Sequence, residues 1–346
     1  AEIAEGTADP NWRPHVVHAN DWPTALTPAY IKWKELDTAS ILTIHNLAYQ
    51  GLFGRDQLGA LAIPEQAMSI EGVEFHGRVS FLKAGIFYAS HVTTVSETYA
   101  REITSWEHGC GLDGLLRTRD ERGELTGILN GIDSSWETFA REAEGPEFVR
   151  YWKSQKAREL RRMFRLDEAE GPLFSIVSRL VHQKGIDLSI QAAELIVANG
   201  GQLVVTGQGE PELERAVEKL AAAHPGAVAA RIGFDASEAR AMFEGSDFFL
   251  MPSRFEPCGL GQMYALSQAS LPIANRTGGL VDTITDGGDG FLFSSASEFA
   301  LKRAVGRAFR TYWTGDRFEA MRRNALSKRF DWHGPAQRYS ALYKAA

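Results

Sequence analysis

The sequence predicts an α/β protein built from two doubly wound domains, on three observations. Apolar strand-like runs alternate with helical stretches of ten or more residues, turns carrying glycine, proline or an isolated charge follow those runs, and 346 residues exceed what one core ordinarily holds. Strands separated by helices of that length build βαβ units, and right-handed crossovers wind them into a parallel sheet.

The rhythm is clearest in the second half. Runs 173–177, 202–205, 228–232, 247–251 and 271–274 read as strands, with helical stretches at 188–198, 211–223, 237–243 and 261–270 between them. The first half repeats it less cleanly, with strands at 15–18, 41–44, 91–95 and 126–129 and an apolar helix across 81–88. The charged stretch 141–165 predicts an exposed helical connector, so the boundaries fall at 1–140 and 141–330. No fixed short period and no low-complexity tract interrupts this order.

Composition narrows the partners. With 44% hydrophobic and 23% charged residues the chain reads as an ordinary globular protein, and its formal charge of -7 gives no general attraction to nucleic acid or anionic lipid. Neither is expected as a partner, and any phosphate must be met by a few local cations. Cys110 and Cys258 form no Cys-x-x-Cys spacing, which suits a reduced cytoplasm. No apolar run approaches the ~18 residues that cross a bilayer, and residues 1–5 are acidic rather than an export signal. There is no His-Glu-x-x-His pair, no Walker loop, no Gly-x-Ser-x-Gly elbow and no complete Gly-x-Gly-x-x-Gly; Gly207-Gln208-Gly209 comes nearest. No metal and no cofactor are expected.

The chemistry gathers on turns that follow strands. After the apolar run 248–251, the segment 253–262 sets Glu256 on a Pro/Gly-rich turn at the carboxyl end of a strand, where open α/β sheets bind ligands. Arg179 and Lys184 lie in the loop after strand 173–177; two fixed cations there suit a diphosphate leaving group, and the alternative is a solvated surface loop. Thr277-Gly278-Gly279 follows strand 271–274 and opens a helix, so free amides at this turn are expected to meet a phosphate, although a glycine pair can equally mark a tight bend. In the first half, His45 ends a strand and can donate to a sugar hydroxyl or act as a base, or serve structure alone. Asp21 offers a hydroxyl partner beside Trp22, itself equally suited to a core, and Asn130 enters a cleft or caps a turn.

In order, His-Ala-Asn-Asp-Trp (18–22), Ile-His-Asn-Leu-Ala-Tyr-Gln-Gly (44–51), Leu-Asn-Gly-Ile-Asp (129–133), Ser-Arg-Leu-Val-His-Gln-Lys-Gly (178–185), Pro-Ser-Arg-Phe-Glu-Pro-Cys-Gly-Leu (252–260) and Arg-Thr-Gly-Gly-Leu (276–280) resemble the bacterial glycogen synthases and plant starch synthases. The likeness runs from about Pro14 to Trp332. It implies a GT-B fold, two Rossmann-like domains with the active site between them, and retaining, metal-independent transfer of glucose from ADP-glucose or UDP-glucose to the non-reducing end of an α-1,4-glucan. It further implies that Arg179 and Lys184 hold the diphosphate and that Thr277, Gly278 and Gly279 take its distal phosphate. Glu256 with Cys258, Gly259 and Leu260 would hold glucose hydroxyls, His45, Asp21 and Asn130 would complete the sugar site, and Phe234 would pack on the base. Glu256, His45, Arg179 and Lys184 are the catalytic candidates of this reading, and residues 331–346 are expected to return to the first domain.

Three departures qualify the likeness. No Lys-x-Gly-Gly-Leu loop precedes His15, so the first strands of the N-terminal domain are expected to be missing. The stretch after Asp133 lacks the family's Trp-Asn-Pro pattern, with Trp136 as a displaced counterpart. Tyr264 stands where other retaining transferases of this fold carry a second Glu. The rival readings are another GT-B glycosyltransferase and a glucan- or nucleotide-binding fragment without turnover.

Overall fold

The computed structural model describes residues 1–136 and 146–346, and the chain divides into two units: Ala1–Asn130 with His333–Ala346, and Gly131–Trp332. The boundary expected at 140/141 lies outside the described residues. Both units are parallel α/β structures.

The first unit contains β1 (Val16–Asn20), β2 (Ala39–Ile44), β3 (Leu52–Phe53), β4 (Glu74–Phe75), β5 (Arg78–Ser80), β6 (His91–Thr94) and β7 (Leu125–Gly127). Four of them form a parallel sheet in the order β1-β2-β6-β7. The other three form a small antiparallel sheet, β3-β5-β4, whose two- and three-residue strands are too short to show alternation in the sequence. β2 is a nearly continuous apolar run because both its faces are covered: Ile41, Leu42 and Ile44 are fully buried. Helix Phe81–Tyr88 begins where the Ser80 hydroxyl accepts from the Lys83 amide, and it buries Leu82 and Ile86 against β2 and β6 residues. The final helix, His333–Ala345, meets β1 through Tyr343, whose hydroxyl lies 2.8 Å from His18 Nδ1.

The second unit carries β8 (Leu173–Val177), β9 (Gln202–Gly207), β10 (Val228–Ile232), β11 (Phe248–Met251), β12 (Leu271–Asn275) and β13 (Phe291–Phe293). All are parallel, in the order β10-β9-β8-β11-β12-β13. The direction of winding reverses between β8 and β11, which leaves a crevice beyond their carboxyl ends. Phe174, Phe248, Phe249 and Phe291 fill the core.

One expectation fails here. The charged stretch is not an exposed connector: helix Pro146–Phe164 buries Val149, Trp152, Leu160 and Phe164 and packs on helix Ala236–Gly245. Its buried cations are tolerated because they hydrogen-bond: Arg161 donates to Gln202 Oε1 (2.7 Å) and to the Gly171 carbonyl (3.1 Å). Trp136 is also built in. It stacks on Tyr264 with ring centroids 4.1 Å apart, lies under the Arg240 guanidinium, and accepts a hydrogen bond from Gln268 at its carbonyl. At the start of this unit Gly131 passes so close to the 331–332 backbone that a Cβ would stand 2.8 Å from Asp331 C and Trp332 N. The Ile132 amide donates to Phe330 O there, at 2.7 Å.

Candidate active site

Adjacent strands bring together residues that are far apart in sequence. Arg179 and Lys184 leave β8, Glu256 leaves β11, and these strands are hydrogen-bonded neighbours. Lys184 Nζ donates to Glu256 Oε2 at 2.5 Å, across 72 positions of sequence. The Ser253 hydroxyl donates to the same oxygen at 2.9 Å, and Glu256 is buried while Lys184 is largely so. A charge-assisted bond in this setting is strong, and it fixes the carboxylate on the wall of a cavity of about 240 Å³. Arg179, Lys184, Ser253, Glu256, Gly259 and Leu260 line that cavity, over Met251 and Phe249.

The two loops are clamped together. Arg254 forks onto Asp187, with Nη1 to Oδ1 at 2.8 Å and Nη2 to Oδ2 at 2.7 Å, and Nη1 also donates to the His182 carbonyl (2.6 Å). The Arg254 amide donates to Gln183 O, and Gln183 Nε2 donates to Phe255 O. Hydrogen bonds from Arg254, partly opposed by burial and aided by its charge, hold the Asp187 carboxyl below its ordinary range; the same pairing raises the Arg254 guanidinium. Sequence reasoning gave Arg254, Asp187 and Ser253 no role. Arg254 and Ser253 stand inside the motif that carries Glu256, but nothing in the sequence ties Arg254 to a residue 67 positions away.

The turn after β12 packs directly on the Glu256 segment. Two of its amides have backbone partners: Thr277 N–H donates to Asn275 O (3.0 Å), and Gly279 N–H to Glu256 O (3.1 Å) and Pro257 O (3.3 Å). The glycines are there for close packing. A Cβ on Gly278, whose φ is +44°, would meet Glu256 O at 1.9 Å, and one on Gly279 would meet Cys258 O at 2.1 Å. Thr277, Gly278 and Gly279 therefore support the Glu256 segment from behind, and Cys258 is buried in that support. Phe234 follows the edge strand β10, is 71% exposed, and does not line the cavity. Tyr264, stacked under Trp136, does not line it either.

In the first unit Asp21, with φ +54°, turns its carboxylate onto the loop after β2, where Oδ1 accepts from the His45 amide (2.7 Å) and the Asn46 amide (3.4 Å). His45 Nε2 lies 3.0 Å from Asn20 Oδ1. These residues close the carboxyl ends of β1 and β2, whereas Asn130 follows β7 at the other edge of the sheet. Burial, reinforced by His45, holds His18 below the usual histidine range.

Known proteins share this layout. The family described as starch synthase catalytic domain matches residues 1–118, and the glycosyl transferases group 1 family matches residues 159–327. Glycogen synthase 1 of Bradyrhizobium diazoefficiens is 53% identical over 99% of this chain and 75% of its own length. The chain belongs to the glycogen synthase and starch synthase family. It is a glycosyltransferase of the GT-B fold. Glycogen synthase of Pseudomonas putida is 51% identical over 99% of the chain and 67% of that protein. The catalytic domain of starch synthase IV from Arabidopsis thaliana superposes with a TM-score of 0.89 at 31% identity, over 99% of this chain and 75% of that one. A sucrose-phosphate synthase from Thermosynechococcus elongatus, at 19% identity and TM-score 0.65, shares the fold. Among the described residues no helix is long and apolar enough to cross a membrane.

Proposed function

We propose that the chain transfers glucose from a nucleotide sugar to the non-reducing end of an α-1,4-glucan, with retention of configuration. The observation that carries this reading is the Lys184–Glu256 pair beside Arg179 on one cavity wall, where the sheet reverses. Negative charge grows on the diphosphate as its bond to the sugar breaks, and prepositioned cations stabilise that charge more than they stabilise the intact donor. Lys184 has three N–H donors and gives one to Glu256, so it can hold a phosphate oxygen while orienting the carboxylate toward glucose hydroxyls. Arg179 is exposed at the mouth and adds a planar fork. Gly259 and Leu260 border the same space.

ADP-glucose is the donor we favour over UDP-glucose, because the starch synthase IV catalytic domain was solved bound to ADP and acarbose. The roles of Phe234 on the base, of Thr277 to Gly279 at the distal phosphate, and of His45, Asp21 and Asn130 at the sugar rest on the family resemblance. Two free cysteines suit a reduced cytoplasm.

The test is incorporation of labelled glucose from ADP-glucose and from UDP-glucose into glycogen, with ADP calorimetry alongside. We expect incorporation by the full chain and a loss of about 10²-fold or more in Lys184→Ala. ADP binding without incorporation would replace this reading with that of a binding protein.

A further inference from the structure

At the amino end of the second unit's sheet, the end away from Glu256, a hollow of about 330 Å³ is lined by Phe291, Arg307, Arg310, Thr311, Thr314 and Arg317. Three of these six carry a guanidinium and none a carboxylate. The topology makes the cluster: helix Glu298–Tyr312 runs back to the start of β13 and turns at Thr314 into helix Gly315–Ser327. Arg307 is anchored on one side, with Nη2 2.7 Å from Asp286 Oδ1, Nη1 donating to Leu292 O at 3.3 Å, and its plane over the Phe291 ring. Arg310 and Arg317 form no ion pair among the described residues. Arg307 Nη2 and Arg317 Nη2 nevertheless converge, each lying 3.9 Å from the point where a Cβ on Gly287 would stand.

The nearby acids offset only part of this charge. Asp286 is already taken by Arg307, and Asp316 lines a different hollow. The Thr314 hydroxyl donates backward to Arg310 O at 2.8 Å, so the 13-residue helix Gly315–Ser327 starts without a side-chain cap and adds the positive end of its dipole. Arg307 shares its charge with Asp286, but Arg310 and Arg317 have no carboxylate partner among the described residues, so positive charge is left over beside Arg307 that an anion would offset.

We propose that this hollow binds a phosphomonoester dianion, free phosphate or a sugar phosphate, at a site separate from the candidate transfer site. Guanidinium forks match phosphate oxygens in pairs, and the buried Phe291 ring gives the hollow an apolar floor. The inference does not depend on the glucosyl-transfer reading, because binding alone reads it out.

The experiment titrates inorganic phosphate and glucose 1-phosphate into the full chain carrying Arg179→Ala and Lys184→Ala, so that the candidate transfer site does not compete, with and without Arg310→Gln and Arg317→Gln. We expect saturable one-site binding that weakens with salt and falls at least about tenfold in the Arg310/Arg317 variant. Equal affinity for the two probes would identify phosphate alone as the ligand; tighter glucose 1-phosphate would add contacts to the sugar. Both glutamines replace exposed side chains, and thermal unfolding checks the fold; if the double variant fails to fold, Arg310→Gln alone is read the same way. Absence of saturable binding, or binding unchanged by the glutamines, overturns the site.

Discussion

Both ends of the second unit's sheet bury a lysine, and the two lysines are used differently. At the amino end Lys153 is 2% exposed, and its ammonium donates to the carbonyls of Glu244 (2.6 Å), Ser246 (2.7 Å) and Gln268 (3.1 Å). Those carbonyls end the helices Ala236–Gly245 and Gly261–Ser267, so one cation closes two helix termini and has no donor left. At the carboxyl end Lys184 Nζ has Glu256 as its one partner among the described residues, and it faces a cavity. Beside Lys153, Arg322 is likewise held by Asp247 and Glu319. A hollow of about 580 Å³ lies among these groups, larger than the one at Glu256, although Arg322 Nε and Glu319 Oε2 there are buried without a hydrogen-bond partner among the described residues. Size therefore does not mark the site, and neither do unpartnered buried atoms; what differs is the lysine, saturated by carbonyls at the amino end and left with donors facing the cavity at the Glu256 end.

Exchanging each lysine for methionine is the sharpest way to break this comparison. Lys184→Met should lower kcat/KM for glucose transfer by about 10²-fold or more. Lys153→Met should strand three carbonyls and lower unfolding free energy by about 2–4 kcal/mol, while turnover per folded molecule stays within a factor of about three. Denaturant unfolding paired with the incorporation assay reads both, and an equal loss of turnover in the two variants would erase the distinction. A smaller effect is expected from Gly278→Ala. The new methyl meets Glu256 O at a φ that L-residues rarely adopt, so stability should drop by about 1–3 kcal/mol and turnover should drop with it as the carboxylate shifts.

The same contrast explains what the sequence made legible. Strand runs in the second half stand out because a parallel sheet covered on both faces needs largely apolar stretches, and β8, β9, β11 and β12 supply them, whereas the edge strand β10 carries an exposed Arg231. β13, three residues long behind a glycine turn, carries too little pattern to be read. Glu256, Arg179 and Lys184 were readable as polar groups on turns after strands, whereas their pairing was not, because it depends on β8 and β11 being neighbours across 72 positions. Helix Pro146–Phe164 was misread for a related reason. Composition counts Lys153 and Arg161 as charges that want water, and only the fold reveals the carbonyls and the glutamine that replace water. The 277–279 turn shows the limit in the other direction: a glycine pair announces close approach without saying whether a phosphate or the protein's own backbone does the approaching.

The smallest effect concerns the clamp behind the site, and its pH dependence separates clamp from chemistry. Asp187 is held below the ordinary carboxyl range by Arg254, and a depressed folded value means that the unfolded chain binds the proton more readily. The stabilisation is therefore complete above the unfolded aspartate value of about 4 and is lost as pH falls through the lower folded value. Asp187 is about one-third exposed, so solvent screens the pair and the contribution is modest. Asp187→Asn should accordingly be less stable than the parent near pH 7, and the gap should narrow steadily toward about pH 3. Its turnover should fall only severalfold, since Lys184 and Glu256 keep each other in place while the loop around them loosens. A stability gap that stays constant down to the acid end would mean that the carboxylate's charge is not what Arg254 grips, and the two loops would then be held by the bonds to the His182, Gln183 and Phe255 carbonyls.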